Sequence, residues 1–206
     1  MIRNLFKRKD PIEAFWEWFV DHEEELYLLR DEDSENLLKG LDAASRKVNR
    51  QLSFSIELEK NREKKRELTI GAYGNPNNFP DVIRLVEAAP QSERFSIVAF
   101  NQRNDDDISI TTNGFEISRE DVFFTYKADQ ENEEFYLILY IKEFREDVDH
   151  SNAVLEFLEI VIGEYTLGTE LTEIEFKKFN SEEGLLQINE LPNVLDEVKK
   201  TKYKIL

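Results

Sequence analysis

RELTIGAYGNPNNFPDVIRLVEAAPQSERFSIVAFN, the stretch from Arg66 to Asn101, predicts the central unit of the fold. Apolar and polar residues alternate over Leu68–Ala72, which is the pattern of a half-buried strand. Gly74–Asn78 interrupts this strand, and Pro80 suits the first turn of a helix because proline has no N–H to leave unpaired. The run FSIVAF at 95–100 is apolar at five of six positions. It therefore predicts a strand that is covered on both faces and lies inside its sheet.

Helices are predicted on both sides of this unit. Pro11–Arg30 is amphipathic, and Asp10 suits its N-cap. This helix contains the aromatic cluster FWEWF at 15–19, and aromatic residues at helical spacing are typical of a protein core. Apolar residues keep the same 3.6-residue period in Ser34–Arg50 and Ser151–Tyr165. The sheet is thus expected to be covered by N-terminal and C-terminal helices.

Further strands are predicted from alternation and from turn residues. Leu52–Leu58 alternates and is expected to pair with the strand at 68–72. Asn113 and Gly114 form the strongest hairpin signal in the chain. The run FYLILYI at 135–141 resembles FSIVAF and predicts a second interior strand. Together these patterns predict an α+β fold with a mainly antiparallel sheet, in a single domain that spans residues 1–206.

Composition limits the environment and the partners. The chain has 206 residues, no cysteine and a formal net charge of −17. Residues 1–103 carry a net charge of −2 and residues 104–206 a net charge of −15. A cysteine-free chain favours a reducing compartment, so we expect a cytoplasmic protein. The negative field disfavours binding to nucleic acid and to anionic membranes, and it favours a basic protein partner. A local basic strip at Lys60–Arg66 is the exception to this acidic character.

Motifs for catalysis and for cofactor binding are missing from the sequence. His22 in DHEEE fails the zinc pattern H-E-x-x-H, because Leu26 stands where the second histidine belongs. His150 precedes a predicted helix and has no nucleophile motif near it. Neither a phosphate-binding loop nor a dinucleotide fingerprint occurs. We therefore predict no catalytic residue, no metal site and no cofactor.

Two loops supply the candidate binding residues. Asp105, Asp106 and Asp107 are the densest group of carboxylates, which is typical of a solvated loop, of a weak site for a hard cation, or of a contact for a basic partner. Tyr73 and Asn75 lie in the polar loop beside the central unit, where function often resides, although asparagine also favours turns for conformational reasons. We take these five residues as the candidate site.

The run ELTIGAYGNPNNFPDVIRLVEAAP, followed by FSIVAF and preceded by FWEWF, resembles a family of uncharacterised bacterial proteins that have the same strand, helix and strand layout. The resemblance covers the first half of the chain best, with a weaker similarity at ELPNVLDEV. It implies a shared fold and a bacterial, cytoplasmic origin. The family has no assigned activity, so the resemblance supplies no functional residue.

Two hypotheses of function follow. The first is a non-enzymatic protein-binding module, similar to an immunity protein or an antitoxin, that masks a basic partner. The second is a small-molecule enzyme in which two carboxylates perform acid/base chemistry. A pocket with two converging carboxylates of separated pKa values would favour the enzyme.

Overall fold

The computed structural model describes residues 9–30, 34–112, 114–129 and 131–203. Within these residues, six α-helices and nine strands form an α+β fold, as predicted. The chain divides after Phe100 into two compact units, each with its own hydrophobic core. The prediction of a single domain stays a prediction, and the two units are described separately.

The first unit contains three helices and a three-stranded sheet in the order β1-β2-β3. Strand β1 is antiparallel to β2, as predicted, and β3 returns parallel to β2 after a helix. The core lies between this sheet and the aromatic face of the first helix. The elements are α1 (Pro11–Tyr27), α2 (Ser34–Ser45), β1 (Ser53–Ile56), β2 (Arg66–Gly71), α3 (Phe79–Glu87) and β3 (Phe95–Ala99).

Both ends of α1 are held by side chains. At its start, the carboxylate of Asp10 accepts a hydrogen bond of 2.8 Å from the N–H of Ile12, as the N-cap prediction requires. At its end, the buried guanidinium of Arg66 donates to the carbonyl oxygens of Leu26 and Leu29, at 3.3 and 2.8 Å. A cation at a helix C-terminus also complements the helix dipole. Strand β2, which begins with Arg66, thereby fixes the position of α1.

The prediction that FSIVAF is an interior strand is wrong. It forms β3, which lies at an edge of the three-stranded sheet, in a different sheet from FYLILYI. Phe95 is buried, and Ser96 to Ala99 are half-buried. An apolar sequence reports that both faces of a strand are covered, but it carries no information about whether both edges are paired.

The second unit contains a four-stranded sheet in the order β8-β7-β6-β9 and a separate hairpin, β4-β5. Strand β7 pairs antiparallel with β6 and parallel with β8, so FYLILYI is interior as predicted. The elements are β4 (Ser109–Thr112), β5 (Phe115–Ser118), β6 (Val122–Asp129), β7 (Glu134–Ile141), α4 (Val148–Ile162), α5 (Glu164–Thr169), β8 (Glu173–Lys178), β9 (Leu186–Gln187) and α6 (Leu191–Tyr203).

The alternation in β7 places one face of the sheet in the core. Phe135, Leu137, Leu139 and Ile141 are buried, and the residues between them are half-buried. The buried side chains belong to the same cluster as the apolar residues of α4 and α6. The C-terminal helices therefore cover one face of this sheet.

Across the described residues, four strand pairs are antiparallel and two are parallel. The predicted hairpin is present, because Thr112 pairs with Phe115, and Gly114 has a φ of +78°. Asn113, the other residue of that signal, lies outside the described residues. No described helix has the length and apolar character needed to span a membrane.

Candidate functional site

A groove with a volume of about 760 Å³ runs along one side of α1 in the first unit. Helix α1 supplies the floor and one side of this groove. Ala88 and Pro90, which follow α3, form the opposite wall. Ile12, Trp16 and Val20 lie four residues apart and therefore form one apolar stripe along the floor. Val20 is 54% exposed, so this stripe leaves apolar surface in contact with water.

Carboxylates border this floor. They recur every three or four residues, which places them along one edge of the helix. Four of them line the groove, namely Asp10, Glu13, Glu17 and Asp21. These four carboxylates form the rim of the groove. The ammonium group of Lys9 forms an ion pair with Glu17. The rim thus already binds one ammonium group, and its remaining charge is negative.

The floor is held in place by Trp16, which is 5% exposed. Its indole N–H donates a hydrogen bond of 2.8 Å to the carbonyl oxygen of Leu85 in α3. Its ring packs edge-to-face against Phe15 and Phe19, with centroid distances of 4.8 and 5.4 Å. The hydrogen bond joins α1 to α3, and the ring contacts hold the indole within α1, so the groove is a preformed surface.

The predicted residues Asp105–Asp107 lie on an exposed loop of the second unit. Two of them, Asp105 and Asp107, line a second cavity of about 520 Å³, which is also lined by Arg103 and Arg119. Arg103 binds the carboxylate of Asp196 at 2.9 Å, and this hydrogen bond raises the pKa of the guanidinium. With Glu120, the lining combines two guanidinium groups and three carboxylates, so charges of both signs face this cavity.

The loop owes its shape to Arg119, whose side chain is buried. Its guanidinium donates to the carbonyl oxygens of Asn104 and Asp106 and, at 3.2 Å, to the side-chain oxygen of Asn189. Asp106, the remaining predicted aspartate, therefore contributes its backbone carbonyl oxygen to the contacts with Arg119.

The other predicted residues, Tyr73 and Asn75, lie in the turn after β2 in the first unit. Tyr73 is 75% exposed and adopts a φ of +52°, a left-handed conformation that is uncommon for a bulky residue. The side-chain oxygen of Asn75 accepts a hydrogen bond of 3.1 Å from the N–H of Asn77, and its own N–H donates to Ala72. Asn75 thus closes a turn, while Tyr73 displays an aromatic ring to solvent.

Two carboxylates in the second unit share one partner. Asn101 donates from its side chain to Glu159 at 2.6 Å and from its backbone N–H to Glu164 at 3.2 Å. Burial raises the pKa of Glu159, the hydrogen bond from Asn101 lowers it, and the charge of Glu164 raises it further. Neither carboxylate lines either of the two cavities described above. Their contacts hold Asn101 against the junction of α4 and α5.

Both histidines have structural partners. His22 stacks on Trp18 at a centroid distance of 4.3 Å. His150 is 2% exposed, and its Nδ1 lies 2.9 Å from both carboxylate oxygens of Asp147. Arg145 approaches the other ring nitrogen at 3.3 Å, and because arginine can only donate, the proton of the neutral ring lies on Nδ1. No group of three His, Asp or Glu side chains arranged to hold a metal occurs in the described part of the chain.

Sequence reasoning missed the groove. It assigned FWEWF to the core, and Phe15, Trp16 and Phe19 are indeed buried. The overlooked signal is Val20, which continues the four-residue spacing of Ile12 and Trp16 by one more turn, with an acid beside each turn. Only the position of α3, which is not a local property of the sequence, turns this stripe into a groove.

Comparisons of the chain with protein-family models, with curated proteins and with solved structures find no match. The resemblance to the bacterial family stays a prediction.

Proposed function

We propose that this protein is a binding module whose groove on α1 takes a basic, amphipathic segment of a partner protein, in an immunity-like or antitoxin-like role. The observation that carries the proposal is an apolar floor bordered by four carboxylates. An apolar face of the partner covers the floor, and its lysine or arginine side chains meet the rim.

Each part of the groove contributes differently to binding. Covering the exposed part of Val20 removes apolar surface from water, which supplies affinity. The rim charges mainly raise the association rate and select cationic partners. The ion pair between Lys9 and Glu17 is a contact of the same kind, an ammonium group on a rim carboxylate, and a partner's cation would replace it at Glu17.

The spacing of the rim sets the size of the ligand. Asp10 and Asp21 lie eleven residues apart, which corresponds to about 16 Å along a helix. A partner helix of about eleven residues matches this length, with cations at every third or fourth position and apolar residues between them.

The test uses a synthetic helical peptide of leucine and lysine with this spacing, and a scrambled peptide of identical composition. We expect the patterned peptide to bind and the Glu13→Gln/Asp21→Asn variant to bind it about tenfold more weakly. The matched control is Glu57→Gln/Glu59→Gln, which removes the same charge from exposed positions of the first unit that do not line the groove. Equal affinities of the two double variants would refute the proposal.

A third variant separates the groove from the site that the sequence predicts. Asp105→Asn/Asp106→Asn/Asp107→Asn neutralises the loop of the second unit. If that variant alone weakens binding of the peptide, the contact lies in the acidic second half and the groove is the wrong site. Association should also slow as salt increases, because the Debye length falls to about 3 Å near 1 M.

We place this module in the cytoplasm of a bacterium. The cysteine-free composition supports a reducing compartment, and the net charge of −17 supports a protein partner over nucleic acid or an anionic membrane. Affinity capture from the native host, followed by mass spectrometry, identifies the partner. Capture of an acidic protein would contradict the charge argument.

A further inference from the structure

Strand β8 lies at the edge of the four-stranded sheet in the second unit and pairs along one side with β7. The N–H of Phe179, the residue after the strand, donates to the carbonyl oxygen of Ile141 at 2.9 Å. Because backbone groups alternate along a strand, Glu175 and Lys177 also turn their N–H and C=O groups toward β7. The backbone groups of Ile174 and Phe176 therefore point to the outer edge, where no other strand of the described chain pairs with them.

We propose that two copies of this protein associate through β8, antiparallel, about a twofold axis at Phe176. The two four-stranded sheets then form one continuous sheet. This surface is separate from the groove on α1, and the proposal does not depend on the proposed function.

The charges of the strand specify this register. The sequence of β8 is EIEFKK, acidic in its first half and basic at its end. With the axis at Phe176, Glu175 of each copy lies opposite Lys177 of the other, at a position without direct backbone hydrogen bonds, where facing side chains come closest. Opposite charges at directly facing positions stabilise an antiparallel pair. In the single chain, Glu175 and Lys177 already form an ion pair at 3.1 Å.

The neighbouring registers are disfavoured by the same residues. A shift of two residues in one direction places Glu175 opposite its own copy, and a shift in the other direction places Lys177 opposite its own copy. A shift of one residue pairs outward-facing backbone groups with groups that already bond to β7. Charged residues often protect an edge strand from association. Here they exclude the wrong registers and leave one that satisfies both charges.

Apolar contacts add to this pairing. Phe176 is half-buried, and its ring lies 6.0 Å from that of Phe144. In the proposed register, it faces Phe176 of the second copy, and the two residues exchange backbone hydrogen bonds across the axis.

Sedimentation equilibrium over a range of concentrations tests the proposal. The chain has a mass of 24.4 kDa, and we expect the average mass to rise toward twice that value as concentration increases. Glu175→Lys places two lysine pairs across the axis, and Lys177→Glu places two glutamate pairs there. Each single variant should stay at the monomer mass.

Mixing supplies the decisive comparison. Glu175→Lys and Lys177→Glu together restore two opposite-charge pairs, so an equimolar mixture should form a heterodimer. The double variant Glu175→Lys/Lys177→Glu should form a homodimer, and because it conserves net charge and composition, it also serves as the folding control. A monomeric wild-type protein, dimers of either single variant, or a mixture of folded single variants without heterodimer would each overturn the proposal.

Discussion

The carboxyl group of Glu159 is partly buried where α4 meets α5, and this burial makes its contribution to stability depend on pH. Burial, the largest cause, raises the pKa of its carboxyl above 4.5, and the charges of Glu164 and Glu156 act in the same direction. The folded protein thus binds a proton here more tightly than the unfolded chain does. The resulting stabilisation is fully present below about pH 4.5 and is lost as the pH rises through the raised pKa.

We predict that Glu159→Gln stabilises the protein at neutral pH. The amide oxygen keeps the acceptor for Asn101, and the variant no longer buries a charge. The gain in the free energy of unfolding should shrink as the pH falls through the raised pKa and should be smallest below about pH 4.5, where the wild-type carboxyl is protonated in both states. Urea unfolding at neutral and acidic pH measures this difference.

The matched control is Glu146→Gln, which removes an exposed carboxylate of the same unit. A gain that is equal at both pH values, or equal in the control, would contradict the assigned cause.

Single residues were predictable where their partners are near in sequence. Asp10 is an N-cap, as expected, because its partner is two residues away. Arg66 was expected in a basic strip, but it is buried and binds the end of α1, about 40 residues earlier. The contact between Arg119 and Asn189 spans 70 residues. Local patterns carry no information about partners at such distances.

The elements were predicted more reliably than their neighbours. Helical period located α1, α2 and α4, with ends that differ by a few residues from the structure. The runs FSIVAF and FYLILYI have the same apolar character, yet the first is an edge strand and the second is interior. The position of a strand within its sheet depends on which strands become its neighbours. The connections between elements determine those neighbours.

The two strands should therefore respond differently to truncation. Leu137 in β7 is 1% exposed, and Leu137→Ala should cost ~2 to 5 kcal/mol of unfolding free energy because it leaves a cavity. Val98 in the edge strand β3 is half-buried, and Val98→Ala should cost about 1 kcal/mol. Denaturant melts measure both. A cost under ~1 kcal/mol for Leu137→Ala would show that the core of the second unit tolerates the cavity.

On the scale of the whole molecule, two hydrophobic cores divide the chain. One belongs to residues up to and including Phe100 and the other to residues after it. The sequence predicts one domain because no stretch rich in proline, glycine or serine marks a linker. The chain can pass from one hydrophobic core to the next without such a linker, so composition alone does not reveal the boundary between the two units.

Calorimetry tests the single-domain prediction. Leu68 and Leu137 lie in different cores and are each at most 1% exposed. If the units unfold together, Leu68→Ala and Leu137→Ala should each lower the midpoint of one shared transition, by about 2 to 4 °C per kcal/mol. Two transitions, with each variant lowering a different one, would instead show two domains.

Composition gives the net charge of the whole chain, but it does not locate a surface. The net charge is concentrated after residue 103, whereas the acid-rimmed groove lies in the first unit. Its carboxylates are a small fraction of the total and become a site through the apolar floor beside them.

The groove also has a consequence for biosynthesis. Trp16 and its hydrogen-bond acceptor Leu85 lie 69 residues apart, and the second wall ends at Pro90. A chain still being synthesised exposes the aromatic face of α1 from its first turns, long before α3 leaves the ribosome. During that interval the helix presents an apolar surface suited to chaperones, and the groove becomes available to its partner only after translation has passed Pro90.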